Sequence, residues 1–265
     1  MFRLVALDVD DTVASDGCSV SGRLTSSITA LHELGLRVVL VTGRQYPGIE
    51  QLIETLRLTS PQIVVGGAAI IELETLTVLQ GEPIEAGLCV RILDYCERVG
   101  FTAVASFGRH SIGIGPREHF QLFLDHGIPV PEFRCVAETT GSCFGITVVG
   151  ADRLDNISDF VSHADPLGDH LRISSTVSGF VDISSQRTSK GSALRWLIQY
   201  LGLLKKEVLA IGDSDADVSM FDAAGYSVAV ANASPMLLAK ADQVVASCDE
   251  DGAACAIEEL ILSGI

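Results

Sequence analysis

Positive charge is scarce in this chain: 18 lysines and arginines face 34 aspartates and glutamates over 265 residues, a formal charge of −16. So acidic a surface disfavours docking on a nucleic acid backbone or an anionic membrane, since either contact needs basic groups to neutralise phosphates. Long apolar runs are missing too. Stretches such as Val38 to Val41 fall far short of the roughly 20 residues that span a bilayer, and Asp8 interrupts the N-terminal run before a signal-peptide core develops, so the chain is read as cytoplasmic. None of the seven cysteines sits in a C-x-x-C pair, and their scatter fits reduced thiols rather than a disulfide frame or a zinc site. The seven-residue spacing of Cys89 and Cys96, and of Cys248 and Cys255, suggests core packing on helices. The six histidines form no H-E-x-x-H, no G-x-x-x-x-G-K-[ST] loop occurs, and GIGPRE at 113–118 lacks the third glycine of a dinucleotide fingerprint. Nucleotide-driven chemistry therefore has no motif to rest on, and there is no internal repeat or low-complexity segment.

What is present is ample core material, 48% hydrophobic residues, arranged in a regular cadence. Short β-branched runs (RLVALDV, LRVVLVT, QIVV) alternate with helical patterns near Leu24–Leu34 and Ile49–Leu56, which is how βαβ units with a buried parallel sheet read. The cadence returns late. There, helical patterns at Gly191–Tyr200, Val218–Ala223, near Met236 and at Ala253–Leu262 surround the strands EVLAIGD, YSVAV and QVVA. Between about 81 and 185 the order changes to a helix at Ile84–Val99, the strand FTAVAS, an unassigned stretch with SIGIG, and a helix near Glu118–His126. FGITVVG, a helix near Leu154–His163, and then LRISSTV and GFVDIS joined by a Ser-Gly turn follow. The expectation is an α/β core of Rossmann-like, doubly wound type from 1–80 and 186–265, with an α+β domain inserted at 81–185.

Open parallel sheets gather ligands at the carboxyl ends of their strands. Four polar signals fall there: Asp8 and Asp10 after the first strand, Thr42, Gly43 and Arg44 after the second, Lys190 opening a helix, and Asp213, Asp215 and Asp217 after LAIG. Each alone has an ordinary reading, the acidic turns as helix caps, Arg44 and Lys190 as solvated side chains. A calcium loop is excluded, because its required Gly and Glu positions hold Val13 and Ser19 counting from Asp8, and Val218 and Ala224 counting from Asp213. Yet two carboxylates about 4 Å apart repel by roughly 4 kcal/mol at an effective dielectric near 20. A strand ending in Asp8, Asp10 and Asp11 therefore asks for an offsetting cation.

The order DVDDT, VTGR, SKGSAL, GDSDADVSMF resembles the four motifs of the haloacid dehalogenase-like phosphatases. It is most similar to their Cof-type branch, in which a large α/β cap lies between the second and third motifs. The tail, with Asn232-Ala233, Ala241-Asp242 and Glu250 to Gly252, resembles that branch as well. The resemblance implies that Asp8 is a nucleophile forming an aspartyl-phosphate and that Asp10 is the general acid and base. It implies Mg²⁺ held by Asp8, the backbone carbonyl of Asp10, and Asp213, with Asp217 in or beside that shell. Thr42 and Lys190 would contact the phosphoryl group, with Gly43, Arg44 and Asn232 as further phosphate or substrate contacts. The partner implied is a small phosphorylated metabolite, such as a sugar phosphate, read by polar cap residues of which Arg109, His110, Arg117 and Arg134 are candidates.

Three positions depart from the branch: Asp11 replaces a common Gly, Ala216 replaces an Asn beside the final acidic residue, and Gly66 replaces the Asn of an N-G-A turn. None removes the expected nucleophile, acid/base, lysine or metal ligands. Two alternatives stay open: a phosphotransferase or mutase using the same intermediate, and a non-catalytic binding protein on the same fold.

Overall fold

The computed structural model describes residues 1–14, 19–117, 120–125, 129–138, 141–149, 161, 165, 170–174 and 180–264. Strand β1 (Leu4–Leu7) is buried at all four positions, as a strand covered on both faces must be. It pairs in parallel with β2 (Arg37–Leu40) on one side and with β12 (Val208–Gly212) on the other, Leu7 facing both Leu40 and Ile211. Beyond β12 lie β13 (Tyr226–Val230) and β14 (Gln243–Val245), giving the order β14-β13-β12-β1-β2. A parallel bridge from Val41 to Ile63 carries the sheet on to β3 (Gln62–Val64). The early strands thus step away from β1 in one direction and the late strands in the other. Chain order reverses between β1 and β12, and the crevice of a doubly wound sheet opens there.

The helices form where the apolar spacing and caps direct. The helix Gly22–Glu33 buries Leu24, Ile28 and Leu31, and starts two residues before the expected Leu24 because the Ser21 hydroxyl accepts the Leu24 N–H. The helix Lys190–Tyr200 likewise starts at a capping serine, Ser189, and buries Leu194, Leu197 and Ile198. Its second residue is Gly191, where an added Cβ would lie 1.9 Å from the Ser219 carbonyl oxygen of the neighbouring helix Val218–Ala223. Gly191→Ala must push those helices apart. Overpacking of this kind typically costs about 1–3 kcal/mol. A lowered thermal midpoint is expected, and Lys190 rides on the displaced helix.

Between the two halves stands a second sheet of order β10-β11-β9-β6-β7-β8. It comprises β6 (Thr102–Phe107), β7 (His110–Ile114), β8 (Glu132–Phe133), β9 (Gly145–Val149), β10 (Leu171–Ser174) and β11 (Phe180–Ser185), antiparallel except for the β7–β8 pair. One face packs Ala103, Ala105, Ile146, Val148, Val181 and Ile183 against the helix Ala86–Val99, in a hydrophobic cluster separate from that of the parallel sheet. SIGIG, unassigned from sequence, lies in β7 up to Ile114. Three strands were not expected at all: the two-residue β8 of the second sheet, and β4 (Ala69–Ile71) and β5 (Val78–Gly81), which extend β3 antiparallel.

Cys89 and Cys96 lie in the second cluster, as their spacing suggested. Cys248 and Cys255 correct the matching expectation: Cys248 sits in a turn before the helix Gly252–Leu260, so the two do not share a helix face, and both are half-buried. The helix expected at Leu154–His163 lies outside the described residues apart from Val161. So do the Ser178-Gly179 turn, Cys18, His119, His126 and His163.

Candidate active site

The carboxyl ends of β1 and β12 bring Asp8 and Asp213 together although 205 residues of sequence separate the motifs that carry them. Oxygens of Asp8, Asp213 and Asp217 all lie within 4.8 Å of one another. Lys190 sits in their midst, its Nζ 2.7 Å from Asp8 Oδ1 and 2.7 Å from Asp217 Oδ1. Asp8, Asp217 and Lys190 are buried, and Asp213 half-buried. The ammonium reaches this position because Gly191 and Gly67 let backbones approach. Gly67 adopts φ +97°, and a Cβ there would strike the Ser189 carbonyl oxygen at 2.2 Å.

Electrostatics follow from burial. Desolvation first, then the Asp217 charge, push the Asp8 carboxyl well above the usual aspartate range, against the opposing pull of Lys190. The same two causes push Asp213 up to about 6. Burial alone would lower Lys190, but the charges of Asp217 and Asp8 outweigh it and hold the ammonium above its ordinary range. One cation among three carboxylates leaves the cluster short of positive charge, which a second cation would offset. The donors are hard carboxylate oxygens, the ligand type that suits Mg²⁺.

Asp217 is also used from its other side. Its Oδ2 accepts the backbone N–H groups of Asp213 and Ser214 and the Ser214 hydroxyl, at 3.2, 3.0 and 3.0 Å. It therefore organises the turn that carries Asp213, as well as fixing Lys190. Gly212 makes room for it, since a Cβ there would lie 2.8 Å from the carboxylate. Thr12, a buried residue to which the sequence reading gave no role, donates its hydroxyl to Asp213 Oδ1 at 3.0 Å. The signal was available: it is the last residue of DVDDT, and a threonine where the chain turns after a strand can bond across the crevice.

The second motif lies beside the first. Thr42 is fully buried, and its Oγ1 accepts the Arg44 N–H at 3.0 Å, which leaves the hydroxyl proton to point elsewhere. Gly43 is exposed, with open space around its Cα. Arg44 is engaged within the protein: its Nε lies 3.1 Å from both Asp10 oxygens and its Nη2 2.5 Å from Asp10 Oδ1. Asn232 is engaged as well, its amide donating to the Asp11 carbonyl and accepting the Cys248 N–H, both at 2.8 Å. It staples two loops at the rim.

Two of the unusual positions acquire a physical reason. Asp11 has φ +56° and Gly66 φ +63°, the left-handed region that Gly, Asn and Asp tolerate best. Both substitutions keep the backbone shape. Among the cap candidates, Arg117 stacks 4.8 Å over the Phe133 ring and Arg134 pairs with Glu132, both at the β7–β8 edge. Arg109 donates to His110 at the tip of the β6–β7 hairpin.

The raised Asp213 value makes a prediction with a definite sign. Its folded value of about 6 exceeds the ordinary 3.8, so between those limits the metal-free fold holds a proton that the unfolded chain has lost. This group's contribution to metal-free stability falls as pH rises through that window, and a bound cation restores it once the proton leaves. The rise in thermal midpoint on adding Mg²⁺ is expected to be larger at pH 7.5 than at pH 5. Equal shifts at both would remove Asp213 from the ligand set.

Comparison with known proteins covers nearly the whole chain. A family model described as haloacid dehalogenase-like hydrolase matches residues 5–257. The chain is 28% identical over 270 residues to YxeH of Bacillus subtilis (strain 168), covering 99% of this chain and 100% of that protein. It is 26% identical over 268 residues to the pyridoxal phosphate phosphatase YbhA of Escherichia coli (strain K12), covering 95% and 96%. A solved haloacid dehalogenase-like hydrolase from Bacteroides thetaiotaomicron superposes with a TM-score of 0.86 at 25% identity, over 98% of this chain and 100% of that one.

Proposed function

The chain belongs to the haloacid dehalogenase-like hydrolases, and from that premise we propose that it is a Mg²⁺-dependent phosphatase of small-metabolite phosphomonoesters. The observation that carries the reading is the convergence of Asp8, Lys190 and Asp213 at the β1–β12 crevice, with Lys190 2.7 Å from Asp8. An aspartate attacking a phosphate dianion must have its own charge and the phosphate's offset. Lys190 supplies one cation, and the acidic trio would hold a second. Asp8 and Asp213, with the carbonyl of Asp10, would bind Mg²⁺, Asp217 acting chiefly through Lys190 and the Asp213 turn. The ion when bound neutralises phosphoryl charge and the clustered carboxylates.

An Asp8 oxygen forms a bond to phosphorus as the bond to the leaving oxygen breaks, and Asp10 gives that oxygen a proton. Water then attacks the aspartyl-phosphate, Asp10 takes its proton, and inorganic phosphate leaves with Asp8 restored. Thr42, its oxygen fixed by the Arg44 N–H, donates to a phosphoryl oxygen, and the N–H of the exposed Gly43 serves the same group. The inserted domain, 81–185, acts as the cap that excludes water and selects the leaving group. Sugar or polyol phosphates and cofactor precursors are the substrate class. No described helix is long and apolar enough to cross a membrane.

The test is phosphate release from a panel of several dozen esters, pyridoxal phosphate among them, with and without Mg²⁺. Mg²⁺-dependent release with no phosphorylated second product is expected. A phosphorylated second product would make the protein a transferase, and an inert panel with retained ligand binding would make it a binding protein.

A further inference from the structure

Two adjacent side chains on the loop after β2 reach in opposite directions. Arg44, with a side chain only 7% exposed, forks Asp10, whose own side chain is 45% exposed, and its Nη1 donates to the Gly48 carbonyl at 3.2 Å. Gln45 turns to the cap sheet. Its Nε2 donates to the Val104 carbonyl of β6 at 3.0 Å and to Thr147 Oγ1 of β9 at 3.3 Å, and its Oε1 accepts the Ser111 hydroxyl of β7 at 2.5 Å. Thr147 passes its own proton to Asp182 of β11 at 2.7 Å. One amide is thus tied to three strands of the cap, and through Thr147 to a fourth.

A proton-transferring carboxylate must lie within about 2.6–3.2 Å of the oxygen it serves, and a half-exposed aspartate left alone samples several rotamers. A planar guanidinium holding both oxygens removes that freedom, which a lysine cannot do. The guanidinium is held in turn by the backbone that carries Gln45. We propose that Arg44 is a positioning residue for Asp10 and that Gln45 couples this clamp to the seated cap, so that Asp10 is set for proton transfer when the cap sheet engages Gln45.

The inference rests on the phosphatase reading, in particular on Asp10 as acid and base, and the experiment separates the two. An alkyl phosphate needs a proton on its leaving oxygen, whereas p-nitrophenyl phosphate does not. For Arg44→Gln, kcat/KM is expected to fall roughly 100-fold on the alkyl ester, within the range for a general acid, and by less than about 3-fold on the nitrophenyl ester. On the latter, kcat and KM should fall together, because the water step still needs Asp10. Arg44→Lys, which keeps the charge and loses the fork, carries the same signature if Arg44→Gln fails to fold. Gln45→Met, of similar shape without the three bonds, should show it more weakly, and the double variant should be no worse than Arg44→Gln. Equal losses on both esters would overturn the positioning role, and additive effects or a silent Gln45→Met would overturn the coupling to the cap. Asp10→Asn is the control: should it lack the leaving-group signature, the acid/base reading has failed rather than the link.

Discussion

Asp8→Asn is expected to lower kcat by about 10⁴-fold or more on every ester the protein hydrolyses, because in the proposed reaction it removes the atom that bonds to phosphorus. Stability should move the other way. Burial and the Asp217 charge already penalise the ionised Asp8 carboxyl, so a neutral amide at this place relieves repulsion while Lys190 keeps Asp217 as its partner. The thermal midpoint of the metal-free variant should equal or exceed that of the wild type, and the shift produced by Mg²⁺ should shrink. An inactive variant that is also unstable would assign the loss to damaged folding. A fall of only about ten-fold would take the nucleophile's role from Asp8, since removing a covalent group costs orders of magnitude more.

The parallel core was legible for a physical reason: strands buried on both faces, such as Leu4–Leu7 and Val208–Gly212, are unbroken apolar runs, and the capped helices between them have clear ends. The strands that went unexpected obey another rule. Val78–Gly81 is half-exposed at every position, and Ala69–Ile71 is only three residues long, so neither gives a periodic signal. Within the candidate site, each motif alone read as a cap or a solvated side chain, and it was their joint occurrence in one chain order that pointed to the residues that gather. The motifs did not announce partners. Arg44 clamps Asp10 across 34 residues because β1 and β2 are adjacent, and Asn232 joins Asp11 to Cys248 for a comparable reason in the loops. Such pairings depend on strand order and side-chain direction, which residue identities and spacing do not contain.

Lys190→Met should cost both stability and activity, the stability loss depending on pH with a sign the charges fix. The ammonium lies 2.7 Å from carboxylates on either side, and removing it leaves Asp8 and Asp217 buried without their cation. Breaking a buried pair in this way typically costs about 3–5 kcal/mol. The folded-state value of Lys190 is raised, so its contribution is fully present at neutral pH and is lost only as pH climbs through that raised value. On the acid side, Asp8 takes up a proton more readily than an ordinary aspartate, and protonation removes the repulsion the variant suffers. The gap in thermal midpoint between wild type and Lys190→Met should therefore be wide at pH 7.5 and narrow as pH falls. Saturating Mg²⁺ should narrow it as well, since the ion offsets the same carboxylates. Activity should fall by roughly 10²–10³-fold even where Mg²⁺ has restored the fold, since in the proposed reaction Lys190 directs its charge at the phosphoryl group and such a group is worth about that much. Full activity in a refolded, Mg²⁺-loaded variant would show that Lys190 serves the fold alone and that the phosphate's charge is met elsewhere.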